Sequence, residues 1–204
     1  MNSENSSKGS AVLNVPNILS LVRVLLVPAF VAALLFMRDI EVWGIIVPTI
    51  LYILTALTDM LDGQIARRCN LVTQFGKFID PLADKFMVIS SQIAILVWMI
   101  LRGEELLALI FVWVVLVILL RELAVTGLRL AVSGKVDVAA SIFGKLKTVS
   151  QMVGTVVMLV EPMIPFFSEN HILSYVFMGL MTFTTIYSAA EYVKAYLPHI
   201  DFSK

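Results

Sequence analysis

Charge is scarce in this chain of 204 residues. Only 15% of them are Asp, Glu, Lys or Arg, where a soluble domain carries about 25%. Apolar residues make up 59%, and the mean hydropathy is +0.93. The apolar excess runs along the whole length, which argues against a soluble α/β core and for a polytopic membrane protein. Fifteen basic residues balance fifteen acidic ones, so bulk electrostatics offers no reason to expect a nucleic-acid partner. The single cysteine, Cys69, can form no internal disulfide and supplies no zinc pattern. The two histidines, His171 and His199, stand alone, one on the outer side and one near the C-terminus, and neither is placed for catalysis. The polar start MNSENSSKGS lacks the charged, apolar and cleavage segments of a secretory signal. No linker is long enough to divide the chain. The expectation is an all-α membrane domain over residues 1–204 with a polar tail at 1–12.

A membrane-spanning helix needs about 20 mostly apolar residues. Six stretches qualify: Ile18–Met37, Trp43–Leu61, Phe78–Leu101, Leu106–Leu130, Ile142–Val160 and Ile172–Tyr192. The basic residues set the orientation. Thirteen of the fifteen lie toward the side of the N-terminus, and only Arg38 and Arg102 toward the other. Some of the thirteen fall within spans, but discounting them does not reverse the bias. The positive-inside rule then predicts that both termini lie in the cytoplasm. The outer turns FMRDIEVW, LRGEELL and EPMIPFFSENH are short, so any chemistry belongs at the cytoplasmic leaflet.

Four carboxylates interrupt the apolar pattern in the segment TDMLDGQIARRCNLVTQFGKFIDPLADK. Asp59 and Asp62 are three apart at the end of span two, and Asp80 and Asp84 are four apart at the start of span three. Both spacings keep a pair on one helical face, and the short connection makes the two helices antiparallel neighbours on which all four can converge. Asp80 before Pro81 also reads as an N-cap followed by proline at the first helical position. Capping explains one aspartate and not four. Carboxylates at membrane depth are costly unless paired or bound to an ion, and four together repel. Divalent cations relieve that repulsion. Mg²⁺ takes one or two protein carboxylates and fills its shell from water and phosphate, and two such ions can clamp a transferring phosphoryl group. Gly63, Ala66 and Gly76 leave bare backbone beside these acids. They admit either a diphosphate or simply a closely packed helix.

The pattern Asp59-x-x-Asp62-Gly63-x-x-Ala66-Arg67, eight residues, Gly76-x-x-x-Asp80-x-x-x-Asp84 resembles, at every defined position, the signature of the CDP-alcohol phosphatidyltransferases. The resemblance implies a six-span, often homodimeric membrane protein with a polar cavity facing the cytoplasm. It further implies an enzyme that uses Mg²⁺ or Mn²⁺ to displace CMP from a CDP-linked lipid or alcohol. By resemblance, Asp59, Asp62 and Asp80 are metal ligands, with Asp84 near the second ion and acting as general base. Asp59, Asp62, Gly63, Ala66, Arg67 and Gly76 then line the CDP-lipid site.

A second charged cluster runs from Arg121 to Met152, RELAVTGLRLAVSGKVDVAASIFGKLKTVSQM. Arg121, Arg129, Lys145 and Lys147 lie within apolar helices, where rim snorkelling explains them less well than it explains the isolated Lys135. A cationic cluster suits an acceptor bearing its own phosphate, and glycerol 3-phosphate fits best. Inositol is uncharged, serine carries an amine, and inositol phosphate is barely separated from glycerol 3-phosphate on this ground. NVPNILSLVRVLLVPAF, REL…TGLRL and ASIFGKLKTVSQM resemble segments of the bacterial phosphatidylglycerophosphate synthases, which points the same way: phosphatidyl transfer from CDP-diacylglycerol to glycerol 3-phosphate. The rival of a different class is an ion-coupled transporter, but its carboxylates belong near the midplane, between paired repeats. Before span one, Asn14 and Asn17 flank Pro16, and within it Arg23 sits one to two turns into the apolar run, either snorkelling to lipid phosphate or turned inward.

Overall fold

The computed structural model describes residues 15–69, 74–132 and 142–199. Among them there is no strand. The six expected spans are six long helices: α1 (Val15–Phe36), α2 (Trp43–Cys69), α3 (Gln74–Leu101), α4 (Glu105–Ala131), α5 (Ile142–Val160) and, after the short α6 (Pro165–Ser168), α7 (Ile172–Tyr196). Four of them, α1, α3, α4 and α7, are long and apolar enough to cross a membrane on those grounds alone. In α2 the apolar stretch is shorter, Trp43–Asp59, and α5 has 19 residues with a polar buried face. The protein is an all-α, multi-pass membrane protein. The chain forms two compact units, Met1–Ala94 and Ile95–Lys204.

In the first unit α1 and α2 pair through Val27, Phe30 and Leu34 on one side and Ile45 and Tyr52 on the other, all buried. The Phe30 and Tyr52 rings meet at 5.4 Å. Leu25 and Phe36, turned outward and mostly exposed, are the apolar surface that lipid covers. The turn into α2 depends on Gly44, because a Cβ there would come within 2.2 Å of the Met37 carbonyl oxygen.

Two boundaries differ from expectation, and both differences matter to the site. Helix α2 continues ten residues past its apolar stretch, about 15 Å of extra helix, so Asp59, Asp62, Gly63, Ala66 and Arg67 all lie on one unbroken helix. Helix α3 begins at Gln74, so Pro81 lies inside it. Asp80 is therefore not an N-cap. The Asp-Pro signal marks a helix start only where the upstream residues cannot be helical. Here Gln74–Ile79 already form turns of their own, and Pro81 removes a single backbone bond.

In the second unit α7 packs against α4 and α5. Its face toward α5 is a polar seam. Ser150 and Thr184 hydroxyls lie 2.7 Å apart, and Gln151 Nε2 donates to Thr185 at 3.4 Å. Gly154 faces Met181, whose sulfur would lie 2.9 Å from a Cβ added to the glycine, so a larger residue there would make the flexible Met181 side chain shift. At one end of the seam the buried Glu161 accepts the Leu173 N–H at 2.7 Å and the Ser174 N–H at 3.0 Å, together with the Ser174 hydroxyl. It thereby satisfies amides that the start of α7 leaves over. The other end of the seam carries the basic cluster.

Candidate active site

The first unit brings acids to α1. Arg23 is completely buried, a position that costs several kcal/mol unless the guanidinium is paired. Its Nη1 lies 2.8 Å from Asp59 Oδ1 of α2. Ser20, also fully buried, donates to Asp80 Oδ1 of α3 at 2.5 Å, the short distance of a hydroxyl bound to an anion. Ser20 and Arg23 are three residues apart on one face of α1. The carboxylates of α2 and α3 are thus drawn to neighbouring positions along the same helix face. Arg23 turns inward and does not snorkel. Asn17, one further turn back, is buried too, whereas Asn14 lies outside the described residues.

Asp84 follows Asp80 by one turn of α3 and is half-buried. Gly76 is buried one turn before Asp80. Asp59 keeps 27% of its side chain exposed despite its arginine, leaving carboxylate surface open to a second cation. The backbone of Asp62, Gly63, Ala66 and Arg67 continues α2, but their side chains lie outside the described ones. No three acidic, histidine or cysteine side chains gather within metal-holding range among the described residues, and the Asp62 side chain is not one of those. The donor set is nonetheless all oxygen, anionic and shared between adjoining helices, which fits a hard divalent cation.

The second unit brings cations together. The last turns of α4, the start of α5 and the last turns of α7 meet at Glu122. Its Oε1 accepts from Arg121 Nη1 at 3.2 Å and also from Lys147 Nζ. These three side chains are only 10%, 12% and 5% exposed for Arg121, Glu122 and Lys147. Arg121 Nη2 also donates to the Ser188 hydroxyl at 2.8 Å. Arg129 donates through Nη2 to the Tyr192 hydroxyl at 2.9 Å. The guanidinium carbons of Arg121 and Arg129 lie 5.2 Å and 5.1 Å from the centre of the Tyr192 ring. Arg129 and Lys145 are exposed and have no carboxylate partner among the described residues. Of the four cations expected at an acceptor phosphate, then, Arg121 and Lys147 already share one carboxylate, while Arg129 and Lys145 keep their full charge. Lys135 lies outside the described residues.

Sequence reasoning assigned no role to Ser20, Glu122, Ser188 or Tyr192. Asn17, Ser20 and Arg23 do form a visible polar stripe at helical spacing in an apolar run, a signal that could have found Ser20. Ser188 and Tyr192 continue the i, i+4 spacing of Thr184 on α7. Trp98 is buried, whereas Trp43 and Trp113 are exposed as expected for interface residues. His171 begins α7 with a left-handed backbone, φ 47°, its Nε2 4.0 Å from Glu104, and His199 is exposed.

Comparison with known proteins agrees with this arrangement. A CDP-diacylglycerol–glycerol-3-phosphate 3-phosphatidyltransferase of Bacillus subtilis is 38% identical over 189 residues, covering 88% of this chain and 93% of its own. Proteins of the same name from Pseudomonas fluorescens, at 33% identity over 92% of both chains, and Yersinia enterocolitica, at 34% over 90% and 94%, are similar throughout. The family model for CDP-alcohol phosphatidyltransferases matches residues 13–187, from the start of α1 into α7. That match embraces both charged clusters, and the chain belongs to the CDP-alcohol phosphatidyltransferase family.

Proposed function

We propose that this protein transfers a phosphatidyl group from CDP-diacylglycerol to sn-glycerol 3-phosphate, giving phosphatidylglycerol phosphate and CMP. The observation that carries the acceptor assignment is the cationic cluster of the second unit, in which Arg121 and Arg129 lie against Tyr192, Lys147 lies against Glu122 and Lys145 is exposed. It suits an acceptor that is itself a phosphate, and the names of the similar proteins support the same reaction. Asp59, Asp62, Gly63, Ala66, Arg67 and Gly76 bind the CDP-lipid, whose acyl chains stay in the bilayer.

Asp59, Asp62, Asp80 and Asp84 would hold Mg²⁺ or Mn²⁺, as two ions, which would supply positive charge against the negative charge of the diphosphate and of CMP. Ser20 and Arg23 fix the carboxylates from α1. Asp84 accepts the proton of the acceptor's primary hydroxyl, and the freed oxygen attacks the phosphorus that bears diacylglycerol. The bond from that phosphorus to the oxygen of CMP breaks, and CMP leaves with the electron pair. No poised Ser, His or Cys nucleophile is found among the described residues, which favours a single displacement. The chain acts as one membrane domain in a homodimer, in a bacterial inner membrane with both termini cytoplasmic.

The decisive experiment is an acceptor panel on purified protein with CDP-diacylglycerol: sn-glycerol 3-phosphate, inositol phosphate, inositol and serine. CMP release should require CDP-diacylglycerol and glycerol 3-phosphate together. Preferred turnover of another acceptor would refute the assignment, and no CMP release with any of them would reopen the transporter reading.

A further inference from the structure

Two guanidinium groups held against one aromatic ring are an expensive arrangement. Like charges repel, and the attraction of a cation to a ring face, about 0.5–2 kcal/mol, is spent twice on the same tyrosine. Glu122 pairs with Arg121 and with Lys147, and Arg129 has no carboxylate partner among the described residues. The arrangement becomes favourable when an anion with two negative charges sits beside both arginines.

Tyr192 is well suited to hold them. It is 4% exposed and packs in an apolar cluster with Val125 and Val132 of α4 and Tyr196 of α7. Its ring stacks on Tyr196 with centroids 5.9 Å apart and planes 7° from parallel. A side chain fixed this firmly has no freedom left to lose when ligand binds. Among the described residues its hydroxyl engages Nη2 of Arg129 alone, so the remaining guanidinium donors can face a phosphate. Arg129 is otherwise an exposed residue at the last turn of α4, where a long side chain samples many rotamers.

We infer that Tyr192 is a positioning residue for acceptor binding. It pre-sets Arg129 as the receptor arm for the phosphate of the acceptor, beside an Arg121 whose Nη atoms are held by Glu122 and Ser188, and so sets KM for that substrate without touching the reacting atoms. This inference rests on the reading of the cluster as an acceptor-phosphate site.

The test uses full-length protein in detergent carrying Tyr192→Phe, Tyr192→Leu, Arg129→Ala or the pair Tyr192→Phe/Arg129→Ala. Tyr192→Phe removes the hydroxyl and keeps the ring. It should raise KM for glycerol 3-phosphate about three- to tenfold, the loss of one hydrogen bond to a charged group. KM for CDP-diacylglycerol should stay within about twofold, and the unfolding midpoint should not move. Tyr192→Leu should raise acceptor KM further. In the Arg129→Ala background Tyr192→Phe should add almost nothing, since its effect passes through that arginine. Unchanged acceptor KM in Tyr192→Phe, equal rises for both substrates, or the full effect persisting without Arg129 would each overturn the inference. Tyr192→Phe decides the matter even where Tyr192→Leu does not fold. If wild-type protein prefers a different phosphorylated acceptor, the glycerol 3-phosphate assignment fails, while the same ratio measured on that acceptor still judges Tyr192. An acceptor without phosphate overturns both.

Discussion

The two charged regions are opposites in sign and alike in construction. In the first unit, Asp59 of α2 meets a buried cation offered by α1, Arg23, and Asp80 of α3 meets the buried Ser20 hydroxyl of the same helix. In the second, Arg121 of α4 and Lys147 of α5 meet one mostly buried anion, Glu122. The counterion fixes the cluster in each case, but the share of charge it leaves differs. Asp59 keeps open surface beside its arginine, whereas Lys147 and Arg121 are closed in around Glu122. The acidic region is thus built to accept further cations. The basic region is split into a neutralised, buried part and a charged, exposed part made of Arg129 and Lys145.

The most severe way to challenge this comparison is to empty the acidic region of positive charge. Chelation should abolish CMP release, and adding back Mg²⁺ or Mn²⁺ should restore it. Full turnover in rigorously metal-free protein would remove the metal from the account. Asp59→Asn and Asp80→Asn should each lower kcat about a hundredfold or more, because an amide cannot replace an anionic ligand. Asp84→Asn should do the same while Mn²⁺ binding, followed by electron paramagnetic resonance, persists. Near-normal turnover in that variant would mean that another group takes the acceptor proton.

Removing the counterions tests the symmetry itself. Glu122→Ala leaves Lys147 and Arg121 buried without their anion and should cost about 3–5 kcal/mol of stability. Arg23→Gln should cost less, because the partly exposed Asp59 can turn to water. Unfolding in detergent, read as the denaturant midpoint of each variant, ranks the two, and the reverse order would contradict the division of burial drawn here. A smaller and more selective effect is expected within the basic region. Arg129→Ala should raise KM for glycerol 3-phosphate about ten- to a hundredfold, and Lys145→Ala somewhat less. Lys147→Ala should mainly lower stability, since its charge is already taken by Glu122. A large acceptor-specific KM rise in Lys147→Ala alone would show that Lys147 leaves Glu122 for the phosphate.

Much of this was legible before any coordinates. Six apolar stretches gave six helices, because span length and hydropathy are imposed by the bilayer. The spacing of Asp59, Asp62, Asp80 and Asp84 marked the acidic region, because i, i+3 and i, i+4 positions share a face. What escaped was tertiary. Ser20 reaches Asp80 across sixty residues of sequence, and Glu122 reaches Lys147 across twenty-five, and no local rule pairs them. Tyr192 carried no signal in the sequence, because its role depends on two arginines brought to it from α4. Asp80 was misread as a cap because the Asp-Pro rule is local, while the start of α3 was set by residues upstream of it.

The seam between α5 and α7 has a consequence of another kind. Ser150 and Thr184 bond to each other, yet each also has an acceptor on its own helix: the Lys147 carbonyl at 2.9 Å for Ser150, and the Leu180 carbonyl at 2.9 Å for Thr184. Either hydroxyl can let go of its partner without being stranded in an apolar medium. The contact is therefore a clutch and not a weld. It resists separation weakly, by about 0.6 kcal/mol for such a bond, so Ser150→Ala should scarcely change the unfolding midpoint. Because Lys147 lies one turn from Ser150 on α5, slippage at this clutch would shift the lysine against Glu122, and the charge balance of the basic region would follow the engagement of two hydroxyls.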